Sequence, residues 1–208
     1  MITTLNFDQH SIIRDIIKLY IPAGAIECDV TYSKGNFYKE GTGIKEPRYK
    51  FDLFPQTPDT VKASADALPV PDNSFSSLMF DPPFVAGHTK TNPTGIIGTR
   101  FHGFPYMTDV WKFYSDSIKE FARVIKKGGV LVVKCQDTVS SGKQYMSHVH
   151  IINECEANGF YCKDLFILQA KSRLIGHNHA TQKHARKFHS YFLVFIKKVN
   201  HTQESNHD

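Results

Sequence analysis

Phe75-Ser76-Ser77-Leu78-Met79-Phe80-Asp81-Pro82-Pro83-Phe84 decides how this chain is read. Its first six residues form an apolar run with the length of a buried strand. The strand must stop at Asp81, because proline has no N–H to give to a central ladder. Pro82 also presses Asp81 toward an extended backbone. The loop that follows offers carbonyl oxygens and one carboxylate, and neither proline contributes a donor. An aromatic ring stands beside them. Such a loop is stiff and rich in acceptors, suited to holding a planar amino group. A simple strand-ending turn would also accommodate D-P-P, so its neighbours in the chain must decide.

Upstream, Ile12, Ile13, Ile16, Ile17 and Leu19 give His10 to Tyr20 a helical apolar face, closed by Pro22 and Gly24. Strands are expected at Ala25–Val30, Lys50–Phe54 and Val61–Asp66, with turn-rich and polar segments at 31–38 and 39–49. Downstream, residues 85–107 carry glycines and few aliphatics, a long loop of the kind that is either functional or disordered. A helix is expected from Asp109 to Lys126, with Trp111, Tyr114, Ile118, Phe121, Ala122 and Ile125 on one face and Gly128-Gly129 as its stop. Gly129–Lys134 reads as a central parallel strand, His148–Asn158 as a helix, and Lys163–Gln169 and Ser190–Ile196 as the last two strands.

Strands alternating with helices predict an α/β, doubly wound sheet. In such sheets ligands gather at the carboxyl ends of the strands, near the switch in strand order. Asp29, Asp52, Asp66 and Asp81 fall at or just beyond successive strand ends and are expected to line one rim.

The chain's 208 residues, 41% of them hydrophobic, fit one domain over residues 1–199, followed by a polar tail at 200–208. No apolar run is long enough for a membrane span, and the first residues lack the pattern of a signal peptide. Cys28, Cys135, Cys155 and Cys162 have no metal-site or disulfide spacing, so they read as reduced thiols of a cytoplasmic protein. The net charge of +5 is mild, but its distribution is not even. From Lys171 to Lys187 the chain has five basic residues (Lys171, Arg173, Lys183, Arg186, Lys187), three histidines and no acid. Such a stripe suits phosphates. A solvated loop is the other reading. His177, His179, His184 and His189 lack accompanying ligand spacing, so no metal is expected.

On these residues the chain resembles class I S-adenosylmethionine-dependent methyltransferases of the amino-methylating type, the group that includes DNA adenine-N6 and cytosine-N4 enzymes. Asp81-Pro82-Pro83-Phe84 matches that family's catalytic tetrapeptide. Ala65-Asp66-Ala67-Leu68-Pro69 with Pro71-Asp72-Asn73-Ser74-Phe75 resembles the segment before it. Arg123-Val124-Ile125-Lys126-Lys127-Gly128-Gly129-Val130-Leu131 resembles the helix-turn-strand after it. The resemblance covers roughly residues 7–197. The usual glycine-rich turn is absent; Asp29-Val30-Thr31-Tyr32-Ser33-Lys34-Gly35 keeps the strand-end acid and one glycine.

The resemblance implies a Rossmann-like, seven-stranded sheet, mostly parallel with an antiparallel edge hairpin, and S-adenosyl-L-methionine as cofactor. It implies a cofactor site at Asp29, Thr31, Gly35, Asp52, Asp66 and Ala67. Asp29 would face the methionine amino group, Asp52 the ribose hydroxyls and Asp66 the adenine amine. Asp81, Pro82, Pro83 and Phe84 would be catalytic, and the basic stripe would bind nucleic acid. DNA adenine N6 is the favoured acceptor. RNA adenine, a protein lysine or glutamine, and a silent nucleic-acid-binding subunit are the alternatives, and the oligomeric state is left open. No separate target-recognition domain of the usual size fits within the chain.

Overall fold

The computed structural model describes residues 1–86, 104–170 and 183–199. Ten strands and three helices follow in chain order among them. The strands are β1 (Leu5–Asn6), β2 (Cys28–Asp29), β3 (Tyr49–Asp52), β4 (Val61–Lys62), β5 (Phe75–Phe80), β6 (Ile125–Cys135), β7 (Thr138–Ser140), β8 (Lys143–Tyr145), β9 (Phe160–Gln169) and β10 (His189–Lys197). The helices are α1 (Gln9–Tyr20), α2 (Met107–Val124) and α3 (Ser147–Ala157).

Eight strands make one sheet in the order β1-β9-β10-β6-β5-β2-β3-β4, and β7-β8 is a separate hairpin. Pairing is parallel throughout β6-β5-β2-β3-β4, whereas β10 runs antiparallel to both β6 and β9. The α/β class and the antiparallel hairpin are therefore as expected. The strand count is not. Leu5–Asn6 pairs parallel with Ile167–Leu168 and takes the edge beyond β9, so the sheet has eight strands rather than seven. A two-residue strand leaves no periodicity to read, and its pairing comes from the distant β9.

Alternation along the central strands explains their continuous apolar sequence. Val130 and Val132 of β6 enter one core, with the α1 isoleucines. Leu131, Val133 and Cys135 enter the other, with α2 and α3. Phe192 and Val194 against Leu193 and Phe195 repeat this on β10. A strand covered on both faces has no polar side to show. Asp8 caps α1 by accepting the N–H groups of His10 and Ser11, and Ile12, Ile13, Ile16 and Ile17 are the buried stripe.

Gly128 and Gly129 do not stop α2. The helix passes directly into β6 at Ile125, and Lys126–Gly129 bulge outward, since Phe75 pairs with Ile125 but Ser77 with Val130. A Cβ on Gly129 would lie 2.7 Å from Ile125 Cγ2 and 2.8 Å from the Lys126 carbonyl, so glycine is required by this bulge. The α2 C-terminus is capped instead by Lys197, whose Nζ donates to the carbonyls of Ala122 and Ile125 at 2.6 Å.

Between β2 and β5 the chain has no helix. Residues 30–48 cover the α1 face as coil, with Tyr32, Phe37, Tyr38 and Ile44 in the core and Tyr32 stacked on Tyr38 at 5.7 Å.

Candidate active site

Strand order reverses between β2 and β5, so the loops leaving these two neighbours diverge there. Asp29 ends β2 and Asp81 follows β5. The Asp81 N–H donates to Thr31 Oγ1 at 2.7 Å and so ties the two loops together.

A cavity of about 240 Å³ opens at this point. Its wall is drawn from the carboxyl ends of four parallel strands: Val30 and Thr31 after β2, Asp52 to Phe54 at β3, Ser64 to Asp66 after β4, and Pro82-Pro83 after β5. Phe104 and Phe113, from the approach to α2 and its first turns, add apolar surface. Two carboxylates on an apolar wall match the needs of a nucleoside, which has ribose hydroxyls and an exocyclic amine around a planar ring.

The four rim acids are not equivalent. Asp52 and Asp66 line the cavity. Asp52 also orders the loops around it, accepting from the N–H of Ser33 at 2.8 Å and of Phe54 at 2.7 Å. Asp66 is exposed and accepts from Ser64 Oγ. Asp29 is 1% exposed and absent from the wall. Thr31 N–H donates to its Oδ1 and Tyr38 OH to its Oδ2, both at 2.8 Å. A ligand amine could reach this carboxylate only by displacing those donors. Burial pushes the Asp29 carboxyl up to about 7, against the hydrogen bonds of Thr31 and Tyr38, and the neighbouring Asp81 pushes in the same direction as burial.

Thr31 lines the cavity, but Gly35 and Ala67 do not. Gly35, at φ +63°, is buried under Tyr32, whose hydroxyl oxygen would sit 2.4 Å from an added Cβ. The glycine thus serves the packing of the aromatic coil. Ala67 is exposed on a short turn bridged to Ser64.

The tetrapeptide itself is a partition. Pro82 and Pro83 face the first cavity, while Phe84 lines a second one of about 470 Å³ with Lys134, Gln136, His189, Ser190 and the start of α1. Burial raises the pKa of Asp81, and Lys134, 3.3 Å from its Oδ2, opposes that rise. Lys134 was not singled out from the sequence, though its signal is visible there: one lysine ends the run Val130-Leu131-Val132-Val133. Also unread was a chain of contacts leading away from the second cavity. His189 Nε2 lies 2.8 Å from Tyr191 OH, which donates to Asp137 Oδ2 at 3.4 Å, and Asp137 Oδ1 lies 2.8 Å from His148 Nδ1.

Of the basic stripe, Lys183 and Arg186 are exposed and Lys187 is half-buried. Arg186 and Lys187 line a third cavity with His184, Gln136 and Val85, the residue after Phe84. Lys171 and Arg173 lie outside the described residues, as does 87–103 of the long loop.

No protein-family model matches this chain, and no curated protein matches its sequence. Solved structures do share its fold. The [4+2]-cyclase SpnF aligns at TM-score 0.57 and 14% identity, over 92% of this chain and 81% of its own. A protein assigned as a methyltransferase, in complex with the Haloferax volcanii Trm112 methyltransferase activator, aligns at TM-score 0.56 and 13% identity, over 92% and 90%. A Bacillus halodurans protein, also assigned as a methyltransferase, aligns at TM-score 0.56 and 13% identity, over 89% and 98%. The chain spans about half the length, 51%, of a Thermus thermophilus protein assigned as a DNA modification methylase, with TM-score 0.41 and 17% identity. The fold is thus the Rossmann-like sheet that these proteins share. A cyclase on the same fold means that function must be argued from the site.

Proposed function

We propose that this protein is an S-adenosylmethionine-dependent methyltransferase acting on an exocyclic amine of a nucleic-acid base, with adenine N6 in DNA as the acceptor. One observation carries the reading: Asp81-Pro82-Pro83-Phe84 stands between an acid-rimmed cavity of nucleoside character and a second cavity walled by the motif's own aromatic ring. Two ligands held on either side of such a partition would meet at Asp81.

The first cavity fits the cofactor. Asp52 would accept from the ribose hydroxyls, Asp66 from the adenine amine, and Leu53, Phe54, Phe104 and Phe113 would enclose the ring. Asp29 acts through Thr31, whose hydroxyl also holds the Asp81 backbone. When bound, S-adenosylmethionine supplies a methyl group made electrophilic by its sulfonium.

The chain must do the rest. An aromatic amine is a poor nucleophile because its lone pair is delocalised into the ring. Asp81 and the Pro82 carbonyl can each accept one amine hydrogen, which returns electron density to nitrogen and fixes its direction. The amine loses a proton as it gains the methyl, and Asp81 Oδ1 is the first acceptor for it. Phe84 supplies a stacking face for the base, which leaves a duplex to reach this depth. Arg186 and Lys187 supply positive charge near residue 85, where a phosphate backbone would pass, and Lys183 precedes them on the same stripe.

The test is incubation with methyl-labelled cofactor and separate DNA, RNA and protein pools. Label in DNA, recovered as N6-methyladenine, is expected. Asp81→Ala should lower turnover on the order of 10²-fold or more with the fold retained. Near-parental turnover in a folded Asp81→Ala variant would end the assignment.

A further inference from the structure

The lysine that ends the β6 apolar run has no part in the chemistry given above. Lys134 follows Val133, the partner of Phe80 in the β5–β6 pair, and so stands beside Asp81. Its side chain is 13% exposed. Nζ lies 3.3 Å from Asp81 Oδ2 and 3.4 Å from Gln9 Oε1. The ring centroids of Phe37, Phe192 and Phe84 surround it at 5.1, 5.6 and 5.7 Å.

A largely buried ammonium is costly unless paired. Here one carboxylate, one amide oxygen and three ring faces share the charge. The sheet does not require it, because an apolar residue would continue the strand as Val132 and Val133 do. Replacing a buried pair by apolar groups is often neutral or stabilising, so the stability of the sheet does not account for this one.

We propose that Lys134 is the positioning residue of the tetrapeptide, holding Asp81 Oδ2 so that the carboxylate stays ionised and presents Oδ1 to the acceptor amine. The proposal rests on the methyl-transfer reading, in which Asp81 accepts that amine. Among the described residues, four titratable groups face Asp81. Lys134 and Cys135 come from β6, Asp29 from β2 and Tyr114 from α2. Burial favours the neutral carboxylic acid, and the Lys134 ammonium opposes it. Among these neighbours Lys134 supplies the opposite charge. Without it Asp81 would take up a proton more readily and lose an acceptor.

The experiment compares the parent with Lys134→Met, which fills the space without charge, and Lys134→Arg, which restores charge. Carbon-detected NMR of the Asp81 carboxyl, recorded without ligand, gives its titration midpoint directly. Labelled-methyl transfer to DNA gives the pH dependence of kcat. In Lys134→Met the midpoint should rise by roughly one pH unit or more, the usual effect of losing an opposite charge at this distance. The acidic limb of kcat should move with it. On the acidic limb, below both midpoints, turnover should fall by up to about tenfold for each pH unit of rise while the KM for the cofactor stays within about threefold. Lys134→Arg should bring the midpoint back. Should Lys134→Met not fold, Lys134→Gln gives the same comparison. An Asp81 midpoint unchanged in a folded uncharged variant overturns the proposal. A midpoint that moves in a protein methylating no DNA, RNA or protein pool would instead retire the methyl-transfer reading while upholding the Lys134–Asp81 coupling.

Discussion

Asp29→Asn should make this protein more stable above neutral pH. The parent carboxyl is 1% exposed, and burial pushes it up to about 7. In the unfolded chain it titrates near 3.9. Between these values the folded state keeps a proton that the unfolded state releases. The stability this lends is therefore complete below about pH 4 and is lost as pH rises through about 7. Each pH unit in that window is worth ~1.4 kcal/mol, so about three units amount to ~4 kcal/mol, with ~2.5 kcal/mol of it falling between pH 5 and pH 8. Asparagine cannot ionise. It keeps an oxygen for the Thr31 N–H, and its amide can donate to Tyr38 OH. Urea unfolding of both proteins at pH 5 and pH 8 measures the effect. The stability of the variant relative to the parent should rise by up to ~2.5 kcal/mol across that interval. Asp81 is present in both, so its own titration largely cancels. A difference that stays flat from pH 5 to pH 8 would refute the reasoning, because Thr31 and Tyr38 would then solvate the carboxylate as well as water does.

Asp66→Ala should weaken cofactor binding about tenfold, the usual loss for a hydrogen bond to a charged group, and should leave stability nearly unchanged because Asp66 is exposed; calorimetry and thermal melts separate the two. Gly35→Ala should destabilise by ~2 kcal/mol or more in urea unfolding, since it adds a left-handed non-glycine residue and a clash with Tyr32 at once. Neutralising Lys183, Arg186 and Lys187 together should weaken DNA binding and flatten its log–log salt slope by roughly 0.9 per lost phosphate contact, with cofactor affinity unchanged. An unaltered slope would return the stripe to a solvated loop.

How far the sequence could be read depended on where the information lay. The central strands were legible because burial on both faces leaves a continuous apolar run, as in Val130 to Val133. The α1 stripe was legible from its isoleucine spacing, and Asp81-Pro82-Pro83-Phe84 from its unusual chemistry. The β1 strand was not, because its pairing comes from β9 and not from its own two residues. Gly128-Gly129 suggested a helix stop because a bulge and a C-cap ask the same of the backbone. Four strand-end acids looked alike in one dimension; only packing separates buried Asp29 from Asp52 and Asp66 on the cavity wall. Lys134 escaped notice because a strand-end lysine usually signals solvent, and its three aromatic neighbours are remote in sequence.

The coil that replaces a helix after β2 has a consequence for how the protein breathes. A helix would hold this cover through its own amide ladder. Here the N–H groups of Thr31 and Ser33 are held by the carboxylates of Asp29 and Asp52, and Tyr32 OH donates to Glu46. Amides secured by side chains exchange through smaller openings than those of β6 or β10, which need the sheet itself to part. Residues 31–38 should therefore form a separate opening unit with faster hydrogen–deuterium exchange than the central strands. The same unit supplies Thr31 to the cavity wall and Tyr38 to Asp29. A ligand seated against Thr31 would close that opening and spend part of its affinity on quieting the coil, so exchange there should slow on binding while the sheet's stays as it was.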